Sequence, residues 1–470
     1  MRVAKLQRYI AIGVVTYFVC SIMFYSFLKN SQDDKTTSEE SQRENTIFKK
    51  QEPLRHLKAP RIPKRTVSNP LTEHCVQDPR YAVNLQYVHA KLTSLIFLFS
   101  AYADYRPEKP RVRIIGIINK NMAYTSLYCH YKVPVMTEDG SKIHELISVE
   151  AERYELCENH LRAFGGWILS CPLPEIQGRQ PCFVYVGLSR KDTVNSVEMS
   201  ILTTKKSQPE EQTDFAVCVP PLYGKLTRFS IVQFVELSRL LGARHFVFYD
   251  FGITPDVQLA LKYYQSVGLA SVIPWDLPVS WKTIWYLGQS VALTDCLYRH
   301  MSAVKYLMFN DLDEFLVPRD ISARSWRDLT TMFKPNICGL SFRNAYFQIN
   351  NLPACNQDNR CLTVLRATER HERFPNMGRN KMMVDPYKVF EMGIHHVSRP
   401  WPDVANYSVI EVPPDVAYVH HYRELQDDAM AERFTNDKFL VDTYSDPLIR
   451  MYSKALVAIR AFSRNKQNLV

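Results

Sequence analysis

From residue 213 to residue 318 short apolar runs alternate with helical periods, and that alternation leaves a parallel α/β sheet as the fold. A first strand is predicted at 215–219, followed by an amphipathic helix over 226–241 that turns Phe229, Ile231, Val232, Val235 and Leu240 to one side and closes at Gly242. A second strand over 246–249 ends at Asp250, after which Thr254 and Pro255 offer an N-cap and a first-turn proline for a helix reaching 267, with Gly268 as its stop. A third strand at 271–273, a helix over 282–300 and a fourth strand at 305–309 complete the pattern. The fourth strand runs straight into Asn310-Asp311-Leu312-Asp313-Glu314. In open α/β sheets ligands bind outside the carboxyl ends of the strands, so these carboxylates arrive where a ligand would sit.

A bare D-x-D is expected by chance in a chain of 470 residues, and a turn or helix cap facing solvent would account for it. Its place at a strand end gives it more weight. Two carboxylates one residue apart are hard oxygen ligands for a divalent cation, and a cation with open positions also takes diphosphate oxygens. Phosphatases that phosphorylate an aspartate want Thr or Val two residues after the second Asp, where this chain has Phe315. G-x-G-x-x-G, a Walker lysine loop, H-E-x-x-H and C-x-x-C are all missing, which removes dinucleotide, P-loop, zincin and zinc-ribbon chemistry.

The chain before residue 213 divides by composition. Residues 9–28 form twenty residues without a charge, enough at about 1.5 Å per residue for a bilayer core of roughly 30 Å. Arg2, Lys5 and Arg8 precede this run, whereas Asp33, Asp34, Glu39 and Glu40 follow it, so the positive-inside rule predicts a single-pass type II signal anchor with residues 1–8 cytoplasmic. A cleaved signal peptide is the alternative, but no convincing small-residue cleavage site follows. Residues 29–74 are too polar to fold alone and read as a stem; their dense basic part, 49–65, is a solvated linker and not a nucleic-acid surface, despite the net charge of +10. Residues 75–212 carry short β-rich runs at 95–99, 112–118, 183–186 and 197–202, the pattern of a strand-rich accessory domain.

Ten of the eleven cysteines follow the anchor, and an oxidising lumen would permit disulfides among them. Only Cys355 with Cys361, flanking a polar loop, suggests a local pair; Cys296, inside an apolar helical run, reads as a buried free thiol. Asn406-Tyr407-Ser408 is a glycosylation sequon usable only in a lumen.

The blocks "LLGARHFVFYDF" (240–251), "YYQSVGLASVIPWDLP" (263–278), "ALTDCLYRH" (292–300), "YLMFNDLDEFLVP" (306–318), "MGIHHV" (392–397) and "HHYRE" (420–424) occur in this order, and together they resemble glycosyltransferase family 92 over about residues 213–424. The resemblance implies a GT-A fold, a Rossmann-like and mostly parallel sheet, for a catalytic domain at 213–425, followed by a helical extension at 426–470. It further implies a divalent metal, usually manganese, and an inverting transfer of galactose from UDP-galactose to a glycan hydroxyl in β-1,4 linkage. A Golgi membrane location goes with it.

By the same likeness Asp311 and Asp313 match the metal and diphosphate motif. A third ligand from a late histidine would be His421 first and His395 second, with His396 and His420 also open, although a lone histidine is often structural. Lys381 and Arg423 would neutralise phosphate unless they are simply solvated. For the base that inversion requires, Asp403 beside Trp401 is preferred and Glu372 is next, against the alternative of ordinary surface carboxylates. Trp275, Trp281, Trp285 and Trp401 would either stack on sugars or pack in the core. The competing function is a catalytically silent glycan-binding protein on the same fold, against which the intact D-L-D-E argues.

Overall fold

The computed structural model describes residues 88–89 and 93–467, apart from 138–139, 141, 176–179, 192, 194, 206, 208–211, 321–323, 351, 353–361, 403–405 and 426–432. The apolar run at 9–28, Asp403 and the pair Cys355 and Cys361 lie outside the described residues. No helix among those described is long and apolar enough to cross a membrane.

The alternation after residue 213 becomes β1 (Thr213–Leu222), α1 (Arg228–Leu241), β2 (His245–Asp250), α2 (Pro255–Ser266), β3 (Ala270–Pro274), α3 (Gln289–His300) and β4 (Val304–Phe309). Local chemistry sets the helix ends. Thr227 and Ser230 form a capping box on α1, and Gly242 ends it at φ 140°; Thr254 Oγ1 accepts from Val257 N ahead of α2, with Pro255 in its first turn. The helix expected over 282–300 begins only at Gln289. Two 3₁₀ turns precede it, because Tyr286 and Leu287 take positive φ and the Trp275 indole donates to Leu287 O at 2.9 Å.

After β4 come β5 (Glu314–Pro318), β6 (Ile337–Phe342), β7 (Asn344–Gln348), β8 (Lys381–Val384), β9 (Ser408–Val412), β10 (Ala417–Arg423) and the long α4 (Phe439–Gln467). The main sheet runs β3-β2-β1-β4-β8-β6-β9; β1 to β4 are mutually parallel, and β8 pairs antiparallel with both β4 and β6. It is therefore a mixed sheet whose parallel part has the spatial order 3-2-1-4, with the reversal of winding between β1 and β4. A second sheet holds β5, β10 and β7, followed by Glu369–His371 and Phe434–Asn436.

The main sheet is buried on both faces, and strand alternation sorts its side chains. Phe215, Val217, Phe246, Phe248 and Met308 pack under α1, α2 and α4, while Ala216, Cys218, Val247, Tyr249 and Leu307 pack under α3. All twelve residues of α3 are buried. The reason is that its far side is covered by a nine-stranded N-terminal sheet, which contributes Phe97, Phe99, Tyr102, Ile115 and Ile117 to the same core. Strands of that sheet occupy Ile96–Asp104, Arg111–Asn119, Phe183–Gly187 and Val197–Thr203, over the β-rich runs of the sequence, and Phe164–Pro172 pairs with Arg111–Asn119 along its whole length. Residues 74–470 form one compact unit.

Two disulfides, Cys129–Cys171 and Cys218–Cys296, lie in these cores. The second corrects the free-thiol reading of Cys296. An apolar helix does not reveal which strand it covers, and here that strand brings Cys218 to a Cα separation of 6.1 Å.

Candidate active site

Asp311 and Asp313 leave the carboxyl end of β4, beside the reversal of strand order. A tight turn holds them: Glu314 N donates to Asp311 O at 3.1 Å, and Asp311 N donates to Glu314 Oε2 at 3.0 Å. Both side chains face outward, 38% and 48% exposed, whereas Glu314, on the first residue of β5, is 1% exposed.

Pairing register delivers the other members. β5 runs antiparallel to β10 with Glu314 opposite His421, so the imidazole places Nε2 3.2 Å from Asp313 Oδ2 and Nδ1 3.3 Å from Glu314 Oε1. The antiparallel pairing of β8 with β4 brings Lys381 past the end of β4, where its ammonium lies 2.8 Å from Asp311 Oδ2 and 2.9 Å from Glu314 Oε2. Asn344, at the start of β7, donates to Glu314 Oε1 at 2.9 Å. Glu314 is thus the hub of the cluster. Reading the sequence assigned it no role, although a charged residue opening the apolar strand Glu-Phe-Leu-Val-Pro was a usable signal.

Three carboxylates face one ammonium and one imidazole. Crowding by the surrounding protein desolvates Asp311 although 38% of its side chain is exposed, and pushes it up to about 6; Lys381 works against this, while Glu314 and Asp313 add to it. Asp313 moves the other way: loss of water on its protein side would raise it, but the His421 ring beside it holds it below the ordinary carboxylate range. His421 answers in kind, raised despite its burial because Asp313 stabilises the imidazolium. Lys381, only 2% exposed, stays charged between its two carboxylates.

The remaining candidates make other contacts. The His395 ring is hydrogen-bonded to Asn380 O at 3.0 Å, and burial followed by the charge of Lys381 pushes it well below its usual range. His396 Nε2 is 3.2 Å from Ser398 Oγ. His420 is a core residue, stacked 4.3 Å from Phe347 and 5.0 Å from Tyr418, and burial lowers it to about 3. Arg423, two residues beyond His421 on β10, covers the Tyr346 ring at 5.2 Å. Glu372 is exposed and follows the strand Glu369–His371, three strands from β5, roughly 14 Å at the usual strand spacing. Among the tryptophans, Trp275 is buried, Trp401 stacks on Phe390, and Trp281 and Trp285 are partly exposed.

Among the described residues no three His, Cys, Asp or Glu side chains are already converged into a cage for a metal ion. The donor set fits a different arrangement. Glu314 is taken up by Lys381, Asn344 and His421, which leaves Asp311 and Asp313 as the outward-facing carboxylates. Magnesium-like cations are held through one or two carboxylates plus substrate phosphates and not by all-protein cages, and carboxylates suit manganese equally.

The profile of glycosyltransferase family 92 matches residues 213–456, more than half of the chain and all of the cluster just described. This chain belongs to glycosyltransferase family 92. The beta-1,4-galactosyltransferase galt-1 of Caenorhabditis elegans is 30% identical over 350 residues, covering 71% of this family 92 chain and 75% of its own length. The galactan beta-1,4-galactosyltransferase GALS2 of Arabidopsis thaliana is 31% identical over 139 residues, 28% of this chain and 26% of its own. A mannosyltransferase from Pyrobaculum calidifontis, solved with GDP-Man and Mn2+, covers 55% of this chain and 76% of its own at 12% identity and a TM-score of 0.26, too low to add to the assignment. Family membership makes the protein a glycosyltransferase.

Proposed function

We propose that this glycosyltransferase moves galactose from UDP-galactose to a sugar hydroxyl of a glycan, forming a β-1,4 linkage with inversion, on a GT-A type domain. The observation that carries the reading is the outward-facing pair Asp311 and Asp313 at the winding reversal of the parallel strands, in a chain similar to a named beta-1,4-galactosyltransferase. The two aspartates, with His421 beside Asp313, would hold a divalent cation such as Mn2+. When bound, such a cation supplies charge stabilisation to the departing diphosphate.

The chain's own groups do the rest. Lys381 keeps Asp311 in place and adds a fixed positive charge at the edge where the diphosphate would lie. Glu314, anchored by Asn344, holds His421 against Asp313. Single displacement also needs a carboxylate that takes the acceptor proton on the face opposite the leaving group. A Golgi membrane anchor at 9–28 with the catalytic part luminal belongs to the same reading, and disulfides such as Cys218–Cys296 suit that oxidising compartment.

The test uses the full chain with UDP-galactose, Mn2+ and acceptors ending in galactose, fucose or N-acetylglucosamine. Asp313→Asn keeps the size of the side chain and removes its charge. It should lower transfer about a thousandfold, equivalent to about 4 kcal/mol in the transition state, and weaken manganese binding measured by calorimetry, while the unfolding midpoint stays put. Chelation of the wild type should stop transfer and manganese should restore it. Full activity in chelator, or Asp313→Asn within a few fold of wild type, rejects the metal assignment.

A further inference from the structure

Among the described residues the non-glycine positions with positive φ are His160, Leu161, Tyr286 and Leu287, at 47°, 56°, 39° and 57°. Side chains there meet the backbone, so each position carries a steric cost that the surroundings must hold in place. The four fall in two short segments that touch. The His160 ring lies 4.2 Å from the Trp285 ring, the Arg162 guanidinium is 5.3 Å from the same indole, and Arg162 Nη1 donates to Lys282 O at 3.5 Å. Burial does not explain the first segment, since Leu161 is 90% exposed. Asn159 pins it instead, with its amide nitrogen donating to Glu155 Oε1 at 2.9 Å and its amide oxygen accepting from Gly166 N at 2.7 Å.

The segment at 275–288 lies on the same edge of the sheet as Asp311, three strands away, and the segment at 158–162 reaches back toward the strand that carries Lys381. The segment 275–288 leaves the carboxyl end of β3, the same edge of the parallel sheet from which Asp311 and Asp313 emerge, and that edge is the ligand side of such a sheet. The other segment belongs to the N-terminal sheet, where it joins strand Glu152–Glu155 to strand Phe164–Pro172 and begins with Glu158. Glu158 Oε2 accepts from Ile394 N at 2.6 Å, close enough that a Cβ on Gly393 would come within 3.1 Å of it. Its carboxyl group also lies within electrostatic reach of Lys381, which pairs with Asp311 and Glu314. One short loop therefore reaches from the Ile394 backbone, whose neighbour His395 bonds Asn380 beside Lys381, to a partly exposed tryptophan.

We propose that residues 158–162 and 281–287 form the acceptor-sugar subsite, in which Trp285, His160 and Leu161 offer an apolar platform to a sugar face and Glu158 is the base. The proposal rests on the transferase reading above. Glu158 takes the proton of the acceptor hydroxyl; the oxygen's electron pair forms the new bond to the anomeric carbon of the donor. The bond from that carbon to the diphosphate breaks, and its electrons leave on the nucleoside diphosphate. Burial raises Glu158 to about 7 against the pull of the Ile394 amide and Lys381, with Glu391 and His396 also nearby, which suits a base working near neutrality. Glu372 has no comparable link to the cluster among the described residues, and Asp403 lies outside them.

The experiment compares the full wild-type chain with Glu158→Gln, Glu158→Asp and Trp285→Ala. UDP-galactose is the donor, and the methyl glycosides of galactose, fucose and N-acetylglucosamine are the acceptors. Glu158→Gln should bind donor as wild type does in calorimetry, lose at least a hundredfold in kcat, and lose the acid limb near pH 7 from its kcat profile. Glu158→Asp should recover part of the rate, as a shortened base would. Trp285→Ala should raise the acceptor KM at least tenfold with the donor KM unchanged. Saturation-transfer NMR of the glycosides separates this subsite from the transferase reading. Glycoside binding that Trp285→Ala abolishes, in a wild type that transfers nothing, rejects the transfer reading and the base but keeps the subsite. Glycoside binding indifferent to Trp285→Ala, no glycoside binding at all, or a Glu158→Gln variant within threefold of wild type with its acid limb intact, overturns the proposal.

Discussion

Glu391 shows how much one buried carboxyl reports about its surroundings. It lies in the hairpin strand Val389–Met392, 1% exposed, with Oε2 accepting from Tyr154 Oη at 2.6 Å and Oε1 from Cys157 N at 2.7 Å. Burial raises it to about 7; those two donors oppose the shift and the nearby Glu158 adds to it. A folded-state pKa above the unfolded value means that the folded chain binds the extra proton. The stability from this group is therefore present in full below about pH 4.5 and is lost as pH rises through 7. The thermal midpoint of the wild type should fall between pH 5 and 7.5 in a stabilising buffer series. Glu391→Gln, which mimics the protonated acid, should flatten that slope, and an unchanged slope in the variant would show that the charge is carried elsewhere.

Helix α3 and strand β2 show what an element owes to its neighbours. Asp295, buried on α3, accepts from Tyr102 of the N-terminal sheet at 2.6 Å and from Tyr249 of β2 at 2.7 Å, and pairs with Arg299 at 3.0 Å. One carboxylate thus ties two sheets through one helix. A chain starting at residue 213 keeps the whole α/β pattern but uncovers the α3 face that carries Val291, packed near Gly166, and Tyr298, stacked on Tyr102. Each large apolar side chain exposed costs about 1.5–3 kcal/mol, and several together approach the usual net stability of about 5–15 kcal/mol. The shortened chain should be insoluble or lack a cooperative unfolding transition, measured by circular dichroism. Soluble material that unfolds cooperatively would show that the N-terminal sheet is dispensable to the core.

The proposed topology puts everything after the run at 9–28 in the lumen, and Asn406, exposed just before β9, is the place to test it. Enzymatic removal of N-glycans should increase the mobility of the full chain, and Asn406→Gln should abolish the shift. In sealed microsomes the C-terminus should resist protease until detergent is added; digestion without detergent would reverse the assigned orientation. The same whole-chain view separates two kinds of information. The order of strands and helices from 213 to 309, the caps at Thr254 and Gly242, and the placing of Asp311 and Asp313 at a strand end were legible, because periodicity and capping act within a few residues, whereas the strands after 314 were not read. The partners of those carboxylates were not. Lys381 and His421 stand 70 and 108 residues from Asp311 and Asp313 respectively, Cys218 pairs with Cys296 across 78, and Glu158 reaches Ile394 across 236. Only the pairing registers of β8 on β4 and of β10 on β5, and the packing of a second sheet over α3, bring them together. Such registers are decided by burial of the whole core, which no local pattern of residues encodes.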